Sequence, residues 1–114
     1  MNKQAYNGWT NYETWNVKLW MDNDGYEYYA ERAQEIYDAS RADSDFTRSE
    51  RATLTLADSL KDQYENAMQD VLDASKAQTS VWADLLGAAL SEVNWHEIAN
   101  SLMDEVESLE PEKA

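Results

Sequence analysis

Carboxylates are the most numerous reactive groups in this chain, and their spacing limits the chemistry open to it. Asp22, Asp24, Gly25 and Glu31 fall on the third, fifth, sixth and twelfth positions of a calcium-loop pattern. The first position is Trp20, which cannot ligate calcium, and Glu27 stands where an apolar residue belongs, so the Asp22 to Glu31 segment is read as metal-free, with a cation-dependent enzyme kept as a third, minor alternative for this loop alone. His96 is the only histidine, and His96-Glu97 lacks the second histidine that a zinc-hydrolase helix needs. Cysteine is absent, which removes thiolate nucleophiles, disulfides and cysteine-ligated metals together. Serines and threonines occur without a Gly-x-Ser-x-Gly elbow or a glycine-rich phosphate loop. The expectation is a non-enzyme with no catalytic residue, no metal and no cofactor.

What remains for the carboxylates is recognition. The chain holds 23 acidic and 9 basic residues, a formal net charge of -14. Phosphates and anionic membranes are repelled by such a field, so direct binding of nucleic acid or membrane is not expected. Residues 1–57 carry 10 acids against 6 bases and residues 58–114 carry 13 against 3, so the excess belongs mainly to the second half. Asp58, Asp62 and Glu65 recur at intervals of four and three, which makes one helical stripe. Asp70 and Asp73 continue it, and Asp104, Glu105 and Glu107, with Glu110 and Glu112, add a C-terminal run. Two readings fit these eight leading acids: a solvated face that keeps a small domain soluble, or a negative ridge that binds a protein partner with a basic surface.

These groups must be positioned by helices. At 114 residues the chain fits one domain, and three glycines with one proline punctuate it too rarely for an all-β fold. Thr10-Asn11-Tyr12-Glu13 reads as a capping box opening a helix over 10–22, with Tyr12, Trp15 and Leu19 on its inner face and Val17 and Trp20 broadening it. The Asp22-Asn23-Asp24-Gly25 cluster reads as a turn, and Asp24 with Glu27 as the cap of a second helix to about Ser40. Thr47-Arg48-Ser49-Glu50 opens a third and longest helix, to Lys76, with an apolar stripe from Leu54 to Leu72. Ser80 caps a fourth with Trp82, Leu85, Leu86, Ala89, Leu90 and Val93 inward, and Asn94-Trp95-His96-Glu97 caps a fifth carrying Ile98, Ala99, Leu102, Met103, Val106 and Leu109. The reading is an all-α single domain, a bundle of about five helices over 1–109, with a charged, mobile tail at 110–114. No leader or apolar spanning run is seen, which fits a soluble, unprocessed cytoplasmic protein.

The densest apolar feature is residues 6–20, with three tryptophans and two tyrosines. Trp9, Tyr12, Trp15, Trp20, Trp82 and Trp95 could form an exposed recognition surface, but helical spacing favours a structural layer in which the N-terminal block packs on the Trp82 to Trp95 region. Asn16 lies inside this block with no cap to make. It either contacts a ligand or bonds a neighbouring loop carbonyl within the fold.

The segment Asn7 to Trp20, NGWTNYETWNVKLW, resembles the opening of a family of small, uncharacterised proteins of bacteriophages and other mobile elements, with Lys18 where alanine is common. Residues 84–99, DLLGAALSEVNWHEIA, look like that family's C-terminal block. The resemblance implies an accessory protein acting inside a bacterium and carries over no catalytic or binding residue. Joined to the acidic charge, it suggests an anti-defence inhibitor that binds a host factor as a DNA mimic. The alternative is a non-inhibitory acidic adaptor, homodimeric through an exposed apolar stripe.

Overall fold

Four helices build the computed structural model, which describes residues 6–109: α1 (Tyr12–Ala39), α2 (Arg48–Ala74), α3 (Val81–Ser91) and α4 (Trp95–Leu109). The fold is all-α, with one helix fewer than the turn signals suggest, because 12–39 is a single kinked helix. Asn11 rather than Thr10 caps it, its Oδ1 accepting from the Thr14 N–H at 2.9 Å. Asp22, Asn23 and Asp24 favour turns in isolation. Here Lys18 and Asp22 pair at 2.8 Å across one helical turn, and Met21 is fully buried. Burial and pairing outweigh local preference, so the helix bends at Gly25 (φ -155°, ψ 32°) instead of ending. A β-carbon at Gly25 would come within 3.3 Å of the Tyr29 ring, so glycine lets that ring lie against the bend. The Asp24-Glu27 capping box does not form.

The other caps follow the sequence. Thr47 and Glu50 bond reciprocally, the Glu50 N–H to Thr47 Oγ1 at 3.0 Å and the Thr47 N–H to Glu50 Oε1 at 2.9 Å. Ser80 and Asn94 accept from the Ala83 and Glu97 N–H groups. α2 ends in a Schellman motif, with Ala77 N–H on Leu72 O at 2.8 Å and Lys76 N–H on Asp73 O at 3.1 Å. The left-handed position that glycine normally fills there belongs to Lys76, at φ 58°.

α1, α2 and α4 enclose the core, made of Met21, Ala33 and Ile36 from α1, Ala52, Leu56 and Leu60 from α2, and Ile98, Ala99, Leu102, Met103 and Val106 from α4. Every described apolar residue assigned inward on α4 is buried. The inward face of early α1 is different from the one the aromatics suggest: Thr14, Val17, Lys18 and Met21 are buried, whereas Tyr12, Leu19 and Trp20 are exposed. α3 buries no residue at all. Among the described residues no helix is long and apolar enough to cross a membrane.

Candidate functional site

Two hydrogen-bonded residues in front of α1 set the geometry of the N-terminal block. Asn7 (φ 48°) and Gly8 (φ 91°) both take positive φ, and Tyr6 and Trp9 exchange backbone bonds at 2.8 and 2.7 Å around them. This is the pattern of a tight two-residue turn for which Asn-Gly is the strongest local signal. That dipeptide could have been read from sequence. The turn lays Tyr6 against Tyr12 and Trp15, with ring centroids 5.3 and 5.1 Å away.

From there a polar clamp joins the block to the α3–α4 connection. Asn11 Nδ2 donates to the Glu92 carbonyl at 2.7 Å, and the Thr10 N–H donates to Glu97 Oε1 at 3.1 Å. Thr14 Oγ1 donates to Asn11 Oδ1 at 2.6 Å and accepts from the Asn94 N–H at 2.9 Å. Thr14 is completely buried, so both of its hydrogen-bonding capacities are used where water cannot substitute. The amide expected to bond a loop carbonyl was Asn16; the structure gives that role to Asn11. Asn16 instead lines a groove of about 250 Å³ between α1 and α3, with Tyr12, Val17, Leu86 and Leu90. Among the described residues it makes no side-chain hydrogen bond.

The six aromatics do not form one layer. Trp95 is buried with its ring 5.4 Å from that of Tyr64, and Trp9 packs on the core beneath the Lys18 ammonium. Tyr12 meets Tyr6 edge-on and Trp15 packs at a tilt against both rings, with Tyr12 exposed and Trp15 partly covered. Trp82 is 63% exposed and Trp20 55% exposed, so both leave the proposed layer. α3 is apolar on nearly every side, Asp84 and Ser91 being its polar residues, so periodicity could not select an inward face. Val81, Trp82, Leu85 and Leu86 consequently form an uncovered apolar surface.

The acids divide between two places. Asp58, Asp62 and Asp73 are exposed on α2, opposite the Leu56 and Leu60 side, Asp70 is exposed but leaves this stripe, lying on the helical phase of Leu56, and Glu65 is half-buried with Lys61 Nζ at 3.4 Å. Asp104 instead borders a cleft with Gly8 and Trp9, and Glu105 accepts from the Tyr26 hydroxyl of α1 at 2.6 Å. Of the C-terminal acids that can be placed, Asp104 therefore edges the N-terminal block and Glu105 edges α1, and neither extends the α2 stripe. The side chain of Glu107 and the tail from residue 110 lie outside the described residues. That hydrogen bond and the Glu105 charge, with smaller effects of desolvation and Asp22, raise the Tyr26 pKa. Asp43, in the α1–α2 connection, is held below the usual carboxylate range by the Phe46 N–H, then by the Arg51 guanidinium and the Asp45 N–H.

A cavity of about 580 Å³ opens at the α1 kink, lined by Trp20, Met21, Asp24, Gly25, Tyr28, Tyr29, Gln63 and Tyr64. Its floor is a hydroxyl network: Gln63 Nε2 donates to Tyr29 Oη at 3.0 Å, and the Tyr29 and Tyr64 hydroxyls lie 3.2 Å apart. Burial first, then the Tyr29 hydrogen bond and charge, and last the nearby Asp24 carboxylate push the Tyr64 hydroxyl above its ordinary pKa. The segment once matched to a calcium loop is thus helical. Asp22 is taken by Lys18, Asp24 faces this cavity, and no cluster of three metal-binding side chains occurs among the described residues. His96 is exposed on the first turn of α4.

The model of DUF7249, a family of unknown function, matches residues 2–113. The chain belongs to this family. DUF7249 thus covers both aromatic blocks and the middle of the chain alike. Neither a curated protein nor a solved structure matches this DUF7249 chain.

Proposed function

We propose that this protein is an accessory protein of bacteriophages or other mobile elements that works in the bacterial cytoplasm by binding a protein partner with a basic surface. It acts as an acidic decoy, occupying the groove in which a host defence factor holds nucleic acid, and it performs no catalysis of its own. The observation that supports this reading is the outer face of α2, where Asp58, Asp62 and Asp73 are exposed and take part in none of the ion pairs seen among the described residues. Like charges at such spacing repel by a few tenths of a kcal/mol per pair. A basic partner relieves that repulsion on binding and is steered in by the field of the whole chain.

The test is a pull-down from bacterial lysate, followed by competition with duplex DNA and a salt series. A decoy complex is displaced by DNA and weakens steeply between about 50 and 200 mM salt. Full affinity of the triple variant Asp58→Lys, Asp62→Lys, Glu65→Lys would rule out the α2 face as the interface. A second reading, a homodimeric adaptor, is favoured by the uncovered face of α3, since large exposed apolar patches mark interaction sites. Sedimentation equilibrium separates it: a dimer that persists at high salt and dissociates in Leu85→Glu supports the adaptor, and a monomer at all concentrations removes it.

A further inference from the structure

The cavity at the α1 kink has the composition of a cation receptor without a cation of its own. Trp20, Tyr28, Tyr29 and Tyr64 supply aromatic walls, Asp24 is the one charged residue in the lining, and no lysine or arginine is among the lining residues. Trp20 is 55% and Tyr28 53% exposed, so their rings are open to a ligand, and the Tyr28 ring is fixed edge-on to Tyr29 at 4.9 Å. At two other aromatic rings the chain supplies its own guanidinium groups. Arg48 sits 4.3 Å over Tyr37, and Arg51 4.6 Å over Phe46. Trp20 and Tyr28 have no such cover among the described residues, and there Asp24 makes neither an ion pair nor a side-chain hydrogen bond.

We propose that this cavity receives an arginine side chain from a basic segment of the protein partner, with the guanidinium stacked on Trp20 and Tyr28 and paired with Asp24. The inference rests on the partner-binding reading and names the anchor within it. A planar, weakly hydrated guanidinium suits an indole face better than a compact ammonium does, and it can also donate to the carboxylate. The field of a chain with net charge -14 repels anionic ligands and concentrates cationic ones at the cavity mouth. The hydroxyl floor offers acceptor oxygens at Tyr29 and Tyr64, held in place by Gln63.

The experiment titrates the full chain with a short arginine-glycine repeat peptide and with its lysine-glycine counterpart, by calorimetry. Four proteins are compared: the parent, Trp20→Ala, Asp24→Asn, and the double variant Asp58→Asn, Asp62→Asn. Circular dichroism checks folding, and Tyr28→Ala replaces Trp20→Ala should the latter unfold. The expected result is saturable binding of the arginine peptide, about tenfold weaker in Trp20→Ala and Asp24→Asn, little changed in the α2 double variant, and weaker for lysine in the parent. Equal binding of both peptides with equal losses in all acid variants means attraction by net charge alone and overturns the cavity site. Absence of saturable binding overturns it as well. The decoy reading fails separately: a captured partner that DNA does not displace, yet that still requires Trp20, removes the decoy and keeps the anchor.

Discussion

The clamp around Thr14 and the face of α3 come from two apolar blocks, residues 6–20 with three tryptophans and α3 with three leucines and Trp82, yet they have opposite fates. In the clamp the buried residue is a threonine, and the neighbouring Tyr12, Leu19 and Trp20 stay at the surface. In α3 nothing is buried, and Trp82 and Leu85 face outward. Hydrophobic density shows where apolar area is available. Which of it is covered depends on where short polar side chains tie elements together, and in this chain Asn11, Thr14 and Asn94 do the tying at distances of 2.6 to 2.9 Å. Area left over after that docking stays exposed.

The contrast breaks most visibly under truncation. Leu56→Ala, in a fully buried site between α1 and α4, is expected to cost about 2–5 kcal/mol in urea unfolding. Leu85→Ala on α3 is expected to stay within about 0.5 kcal/mol, because its side chain is already 55% exposed. Equal losses at the two sites would mean that α3 is packed as tightly as the core. Next in size is Thr14→Val. The shape is kept, but the Asn94 N–H loses its acceptor and Asn11 Oδ1 loses a donor, for an expected loss of about 1–3 kcal/mol. A loss below that range would show that water reaches the clamp.

Much of the fold was legible. The caps at Thr47, Ser80 and Asn94 and the inward face of α4 follow from capping residue types, backed by a glutamate three residues on at Thr47 and Asn94, and from clean apolar periodicity, all local signals. The helix count was not, because the Asp22 to Gly25 turn residues are overridden by a tertiary fact, the burial of Met21 against α2 and α4. The inward face of early α1 was missed for a related reason. Aromatic size suggested burial of Tyr12 and Trp20, whereas the interior position went to Thr14, whose hydroxyl links Asn11 to Asn94, 80 positions further along the chain. The candidate site shares this limit. Spacing could place Asp58, Asp62 and Glu65 on one face of α2, but the cavity joining Trp20 to Gln63 and Tyr64 exists only once the two helices pack.

Alkaline titration sharpens the comparison between aromatics inside and outside the packed region. The free tyrosine value is 10.0, and burial raises the Tyr64 pKa above it. The folded state therefore holds this proton more tightly than the unfolded chain. The corresponding stability is fully present below pH 10 and is lost as pH rises through the higher folded value. Absorbance at the tyrosinate band should show late-ionising hydroxyls from Tyr64 and Tyr26. Glu105→Gln should bring Tyr26 back toward its ordinary range and leave Tyr64 late, since the main cause at Tyr26 is the Glu105 carboxylate and at Tyr64 it is burial. A Tyr64 that ionises with the free amino acid would mean that the cavity floor is wet.

One further effect has the opposite sign and sits at the α2–α3 connection. Lys76 holds a left-handed backbone, φ 58°, at the end of α2, just before the connection to α3. An L side chain there costs roughly 1–2 kcal/mol relative to glycine, partly offset by the extra freedom glycine has in the unfolded chain. Lys76→Gly is therefore expected to stabilise the protein by about 0.5–1 kcal/mol in denaturant unfolding, keeping the Ala77 to Leu72 bond that closes the helix. The exposed apolar face of α3 should be unaltered by it, because the turn keeps its geometry and loses only its strain. Destabilisation by Lys76→Gly would show instead that the lysine side chain itself holds α2 and α3 together, and α3 would then be fastened to the core from its N-terminal end as well as through the clamp.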